Sequence, residues 1–467
     1  MPFKIEILWT DAVFFLLLTC ILLLIFLQKK QIKQAPWTQV FKNQVGMSSA
    51  VILFFYLLIA FLDSLHFRSE LSQRLPNQDT LYATQVESVL DLLLSPLDVQ
   101  METTYAAPFA TASFAQEMHL EQGEIVYGYE PLTYTAEHIP PNTPTAVEIR
   151  HIIIAALPMT GLLTAVSLAV IFFLITLGSP TRVKALFFRI LKPAQRGVCW
   201  RTFIISWVVM IFLCTTLYYL SRHYHIFGTD KIGQDVFYQA VKSIRTGVMI
   251  GTLTTLVMLP FALLMGTLAG YFRGVIDDVI QYTYMTLSSI PGILLIAASV
   301  LILEVFMNQH AQWFTSTAAR ADARLFALCV ILGLTSWTSL CRLIRAETLK
   351  LREQDYVLAA QALGVKHLMI ILKHIFPNLL HIILITIVLD FSGLVLAEAV
   401  LSYIGVGVDP SMQSFGNMIN SARLELAREP TVWWPLAAAF IFMFILVLAA
   451  NLFADTVRDA LDPHKAR

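Results

Sequence analysis

Residues 353–378, EQDYVLAAQALGVKHLMIILKHIFPN, form a polar, gently amphipathic segment between two long apolar stretches. This 26-residue connection is rich in Ala, Leu and Lys, with Gly364 near its middle and Pro377 near its end. Gly is a poor helix-interior residue, and Pro lacks the N–H that a helix needs. The pattern therefore predicts two short helices hinged at Gly364 and stopped at Pro377. Such a loop offers a rigid handle to a partner outside the bilayer.

The setting of this loop follows from composition. Of 467 residues, 57% are hydrophobic and 14% charged, which excludes an ordinary soluble protein and indicates an all-α polytopic membrane protein. A crossing of the hydrocarbon needs roughly 20 apolar residues. Nine stretches qualify: 9–27, 47–65, 152–178, 202–220, 244–271, 279–303, 325–343, 380–404 and 433–453. The first is followed by QKKQIKQ rather than a small-residue cleavage site, so it is expected to stay as a helix. Formal net charge is zero, so only the placement of Lys and Arg is informative. The five cysteines, Cys20, Cys199, Cys214, Cys329 and Cys341, lie in or beside apolar stretches without CxxC spacing and read as buried structural thiols.

Lys29, Lys30, Lys33 and Lys42 follow the first stretch, and Arg182, Lys184, Arg189, Lys192, Arg196 and Arg201 follow the third. Both loops are expected in the cytoplasm. Residues 67–148 carry Arg68 and Arg74 against twelve Asp and Glu and are expected outside. The solution places the N-terminus outside, the C-terminus inside, and the 353–378 loop in the cytoplasm. Composition divides the chain at the basic loop near Lys192-Pro193, into an N-terminal module, 1–195, and a six-span core, 196–467. Within the module, 66–150 reads as a small external cap. It has no Cys and marginal size, so it is expected to lean on the membrane domain or a partner. Gly247-x-x-x-Gly251 and Gly266-x-x-x-Gly270 are spaced for close helix packing. Pro260 and Pro291 are expected to kink their helices.

With these features in place, 353–378 resembles the EAA motif of binding-protein-dependent ABC importer permeases: Glu-Ala-Ala, three residues, Gly, nine residues, Ile-x-Leu-Pro. Ala359, Ala360, Gly364 and Pro377 fit the spacing, while Leu358 stands for the Glu, and His374 and Phe376 for the Ile and Leu. The segments GTDKIGQDV (228–236), AGYFRGVID (269–277), LTSW (334–337), AEAVLSYIGVGVDP (397–410) and NLFADTVRDALDP (451–463) follow the same order. They are most similar to C-type subunits of dipeptide, oligopeptide and nickel importers. The resemblance spans 203–467. It implies a six-helix permease core, here preceded by about three extra transmembrane helices and the cap, in a bacterial cytoplasmic (inner) membrane.

The resemblance further implies a second, B-type permease chain, two ABC ATPase chains that carry ATP and magnesium, and an external solute-binding protein, besides membrane lipid. Nucleic acid has no place in it, and this chain binds no cofactor or metal and has no catalytic residues. The absence of a G-x-x-x-x-G-K-[ST] pattern agrees, since nothing here cradles ATP phosphates in that way. ATPase coupling is assigned by resemblance to Arg352, Asp355, Leu358, Ala359, Ala360, Gly364, Lys366, Lys373 and Pro377. Asp390 and Glu398, ionisable groups within an apolar stretch, are candidates to line the translocation path; alternatively each is hydrogen-bonded to a neighbouring helix or an interfacial turn. Gly228, Thr229, Asp230 and Asp235 are candidates for an external gate or binding-protein contact, with Asp230 as a simple helix cap the competing reading. A self-sufficient secondary transporter is the alternative function; it predicts two related halves with charged residues at the midplane.

Overall fold

The computed structural model describes residues 3–27, 37–70, 82–95, 97, 102, 104–121, 124–129, 131–138, 145–176, 199–314 and 316–461. Lys29, Lys30, Lys33, Arg74, Arg182, Lys184, Arg189, Lys192-Pro193, Arg196 and the tail beyond 461 lie outside the described residues.

Strand β1 (Phe3–Ile5) leads into helix α1 (Trp9–Leu27), the short α2 (Trp37–Val40) and α3 (Gln44–Asp63). Strands β2 (His66–Ser69) and β3 (Glu87–Ser88) join β1 in an antiparallel sheet of order β1-β2-β3. Next come α4 (Val89–Leu93), the hairpin β4 (Glu117–Glu121) and β5 (Glu124–Gly128), and α5 (Thr133–His138). The long apolar helices follow: α6 (Thr145–Thr176), α7 (Trp200–Ser221), α8 (Val236–Phe272), α9 (Val275–Ser289), α10 (Gly292–Gln309) and α11 (Thr317–Arg352). Then come α12 (Asp355–Ala362), α13 (His367–Ile370), a π-turn (Ile371–Ile375), α14 (Phe376–Tyr403), α15 (Phe415–Glu425) and α16 (Trp434–Leu461).

Eight helical segments among the described residues are long and apolar enough to cross a membrane, with α13 to α14 counted as one, His367–Tyr403. Helix α1, Trp9–Leu27, coincides with the first predicted stretch and is apolar along most of its 19 residues. The stretch predicted over 279–303 needs correction. It is two helices, α9 and α10, separated at Ile290-Pro291. Pro291 cannot continue a helix, and it holds Ile290 in an extended conformation (ψ 130°). The crossing helix is α10, while α9 carries Asp277 and Asp278 in its first turn. Pro260, by contrast, lies inside an uninterrupted α8.

Helix α8 is the spine. Its 37 residues extend about 55 Å at the usual helical rise, from a cap end at Asp235 to a loop end at Phe272. It packs along most of its length on α11. Small residues make this possible: a Cβ on Gly266 would lie 2.8 Å from the Cys341 carbonyl oxygen, and one on Gly270 2.6 Å from Thr348 Cβ. Gly251 faces the ring of Phe391, whereas Gly247 has ordinary room. The close-packing reading thus holds for three of these four glycines.

The central core joins α1 and α3 to α8, α10, α11, α14, α15 and α16, through Phe14, Tyr56, Ala60, Ile250, Leu328 and Leu446. A second core at the loop end gathers Tyr271, Tyr284 and Ile344 with Val357, Ala360, Ile370 and Ile375. A third, at the cap end, mixes Leu90, Leu94, Leu97 and Tyr134 with Tyr224, Phe237 and Val241. Leu90, Leu94, Leu97 and Tyr134 of the cap are therefore buried against the membrane helices, the leaning that its size and lack of disulfides predict. Of the cysteines only Cys329 and Cys341 are buried; Cys20 is exposed and Cys199 and Cys214 are half-buried.

Candidate functional site

The 353–378 loop is a folded handle. Helix α12 ends in a Schellman turn: Gly364 N–H donates to the Gln361 carbonyl and Val365 N–H to the Ala360 carbonyl, with Gly364 at φ 74°. That left-handed conformation is why glycine stands here, since a Cβ would meet nothing within 4 Å. The hinge at Gly364 is as predicted. The stop at Pro377 is not: α13, the π-turn and α14 form one helical run from His367 to Tyr403. In the π-turn Phe376 N–H bonds the Ile371 carbonyl, five residues back. Pro377 then sits in the first turn of α14, where a missing N–H costs little.

Side chains divide by face. Val357, Ala360, Ile370, Ile375 and Leu379 are buried in the loop-end core. Outward stand Leu358, Ala359, Lys366, Met369, Leu372 and Lys373, together with Leu363 at 83% and Leu368 at 68% exposure. Asp355 opens α12 and is exposed, as is Pro377. Arg352 does not point away from the protein as a free cation; it donates to the Tyr271 carbonyl at 2.6 Å. Nearby, Arg345 grips Asp277 through two bonds of 2.6 and 2.7 Å, and Tyr271 OH meets His367 Nδ1 at 2.8 Å. Arg352 and His367 tie this end to Tyr271 of α8, and the buried side chains of the handle share a core with α8, α9 and α11. The outer face is thus an exposed apolar cluster rimmed by Lys366 and Lys373.

Glu398 is almost fully buried, accepts from Ser402 Oγ at 2.7 Å, and lies where a Cβ on Gly416 would be 2.9 Å from its Oε1. It ties α14 to the start of α15. Asp390 is half-buried, and its Oδ2 has no hydrogen-bond partner among the described residues. The two carboxylates share a helix but no hydrogen bond with each other is present.

The 228–236 turn lies under the cap. Thr229 Oγ1 accepts from Ala106 N–H at 2.8 Å, Thr229 N–H donates to the Ala106 carbonyl at 2.9 Å, and Trp434 Nε1 donates to the Thr229 carbonyl at 2.9 Å. Gly228 has φ 64° and so little space that a Cβ would collide with the Ala106 carbonyl oxygen. Gly228, Thr229 and Asp235 are buried, leaving Lys231 and Ile232 exposed. The helix cap is Asp235, which accepts from Tyr238 N–H at 2.8 Å and meets His225 Nδ1 at 2.6 Å. This corrects the cap reading for Asp230, which instead closes the turn by accepting from Ile232 and Gln234 N–H. It stands five residues before the cap position, too early to reach the free N–H groups of α8.

Sequence reasoning missed a charge network at the cap end of α8. Arg245 Nη2 donates to Asp11 Oδ1 at 2.7 Å and lies 3.7 Å from Asp322 Oδ1. Asp322 accepts from the backbone and hydroxyl of Thr10, and Asp11 meets His66 at 2.9 Å. Lys242 bonds both Asp91 oxygens at 2.7 and 2.9 Å and approaches Asp63 at 3.7 Å. The legible signal was two cations three residues apart in an apolar helix, with Asp at the ends of apolar stretches 9–27 and 47–65.

Burial alone raises the pKa of Asp91, but the Lys242 ammonium, Ser88 N–H and the Tyr238 hydroxyl outweigh it and hold the carboxyl below its ordinary range. The unfolded chain therefore takes up this proton first. The stabilisation is complete at neutral pH and is lost as pH falls through the ordinary carboxylate value to the lowered one. In unfolding titrations of the purified protein from pH 7 to 3, Asp91→Asn is expected to flatten the acid limb. An unchanged limb would contradict the assignment.

With the geometry established, comparison with known proteins places the chain. Residues 262–467 match the model of the family described as binding-protein-dependent transport system inner membrane component. The oligopeptide transport system permease protein OppC of Bacillus subtilis is 30% identical over 239 residues, covering 51% of this chain and 72% of that protein. The chain belongs to this permease family. The dipeptide transport system permease protein DppC of Bacillus subtilis is 29% identical over 247 residues, 52% of this chain and 70% of that protein. DppC of Alkalihalophilus pseudofirmus is 32% identical over 239 residues, 51% and 72%. As a family member the chain is a multi-pass inner-membrane component of a binding-protein-dependent transport system, not an enzyme. The family match starts within α8, so α1, α3, α6 and the cap lie before it.

Proposed function

We propose that this permease forms the translocation path of an ATP-driven importer for peptides or similar small solutes. Its partners are a related B-type permease chain, two ATPase chains holding ATP and magnesium, and an external solute-binding protein. The observation that carries this reading is the handle at 353–378, buried on one face against α8, α9 and α11 and apolar on the other. In this reading Leu358, Ala359, Leu363, Leu368 and Leu372 dock in a groove of the ATPase, with Lys366 and Lys373 facing acidic groups at its edge. Asp355 and Pro377 set the ends of the handle, and buried Ala360 and left-handed Gly364 set its shape. Arg352, bonded to Tyr271, passes the movement to α8. The peptide class comes from the names of the OppC and DppC relatives.

The N-terminus then lies outside and the C-terminus in the cytoplasm, with the cap on the external face. Lys231 and Ile232 are the part of the 228–236 turn that a binding protein reaches first. Gly228, Thr229, Asp230 and Asp235 hold that turn beneath the cap. Asp390, with its unpaired oxygen, is the stronger path candidate, and Glu398 is a structural tie between helices.

The test is uptake of radiolabelled trialanine by vesicles carrying the full set of chains, with the ATPase chains omitted in a parallel preparation. Uptake is expected only with the ATPases and ATP. Uptake that persists without them would establish a self-sufficient transporter and overturn the proposal.

A further inference from the structure

The charge network around Arg245 borders a cavity of about 300 Å³. That is at the low end of the range of about 300–1,000 Å³ typical of small-molecule pockets. Its floor is Asp322 and Arg245, buried within the protein, and its rim includes the exposed Thr84, Gln85, Thr317 and Ser411. The N-terminal module supplies one wall, through Asp63, His66 and residues 84–86; α8, α11 and residues 411–413 supply the other. Neither half makes the pocket alone.

Two independent observations point to what fits. First, the charges do not balance: Asp11, Asp63, Asp91 and Asp322 surround Lys242, Arg245 and the imidazole of His66. Four carboxyl groups thus stand against two permanent cations. A buried excess of this kind draws a cation. Second, Arg245 is only 5% exposed, and its Nε has no hydrogen-bond partner among the described residues. A buried guanidinium N–H left unpaired calls for an acceptor. Lys242 likewise has three N–H groups, of which two go to Asp91. A lone cation answers the first demand and a lone anion the second. A molecule carrying both charges answers the two together.

We propose that this cavity binds a small zwitterion, an amino acid or short peptide, with its ammonium against Asp63 and Asp322 and its carboxylate against Arg245 and Lys242. The N-terminal module is then part of a ligand site at the external mouth of the permease. Placing the site on the transport route rests on the permease reading above; its chemistry does not.

The experiment is calorimetric titration of the full-length chain in lipid nanodiscs with alanine, dialanine, N-acetyl-dialanine and dialanine amide. At least one of the two zwitterions is expected to bind, and each blocked dialanine at least tenfold more weakly than dialanine itself when dialanine is the ligand. Saturation by alanine alone or by both assigns an amino-acid site, and saturation by dialanine alone a peptide site. Asp63→Asn is expected to abolish discrimination against the N-acetyl compound. Thr84→Trp, at the exposed rim and outside the charge network, is expected to block binding of every ligand and remains informative if the Asp63 variant fails to fold. Absence of binding by both zwitterions overturns the proposal, as do blocked peptides that bind equally well or binding untouched by Thr84→Trp. Trialanine uptake is read separately. ATP-dependent uptake without zwitterion binding sinks the site and leaves the permease reading intact, whereas binding without ATP-dependent uptake does the reverse.

Discussion

Arg245→Leu is expected to destabilise the protein by about 3–5 kcal/mol, the usual cost of stripping one partner from a buried ion pair. The reason lies in what is left behind. Asp11 and Asp322 are both buried, and Arg245 is the cation that meets each of them among the described residues. Thr10 compensates Asp322 in part, and His66 compensates Asp11, but neither provides a permanent charge. The variant should accumulate poorly in membranes and unfold at a markedly lower temperature in detergent. Pairing it with Asp11→Asn should recover part of the loss, because one of the two stranded charges is then removed. Arg245→Lys should fall between, since it keeps the charge without the planar fork that reaches two acceptors. A melting temperature for Arg245→Leu equal to that of the parent would show that the network carries no net stabilisation.

The second large effect is on coupling. Replacing Leu363 and Leu368 together with Asp is expected to reduce ATP-dependent peptide uptake at least tenfold and to prevent the ATPase chains from co-purifying. Both side chains stand free on the outer face of the handle, so neither the fold nor membrane abundance should change. Two carboxylates in an apolar interface leave unpaired charge there, which costs several kcal/mol of association. Surface mutations remote from a binding site usually shift stability by less than about 0.5 kcal/mol, so unfolding of the isolated chain is the control. If the double variant retains both co-purification and uptake, the outer face is not where force enters.

Composition and local pattern were enough to reveal the membrane class, the positions of most long helices and the handle with its Gly364 hinge. These depend on chain-local physics: a run of apolar residues must leave water, and glycine takes the left-handed turn that other residues resist. The same locality explains the errors. Pro291 and Pro377 look alike in sequence, yet one separates two helices and the other sits inside a continuous helical run, just after a π-turn. Asp230 and Asp235 both precede α8, and only the tertiary register shows that Asp235 caps it while His225 holds it from behind.

What the sequence by itself determined is a polytopic α-helical permease with the hinged 353–378 loop in place. The tertiary structure decided which polar residues meet. Asp11 and Arg245 are 234 positions apart, and Thr10 and Asp322 are 312 apart. Their pairing depends on α1 lying against α8 and α11, and no local periodicity encodes that arrangement. The burial of Gly228 and Thr229 under Ala106 and Ala107 is of the same kind. Hydrophobicity is a property of each residue and can be read along the chain, whereas compensation of a buried charge is a property of two distant residues and exists only once the chain has folded.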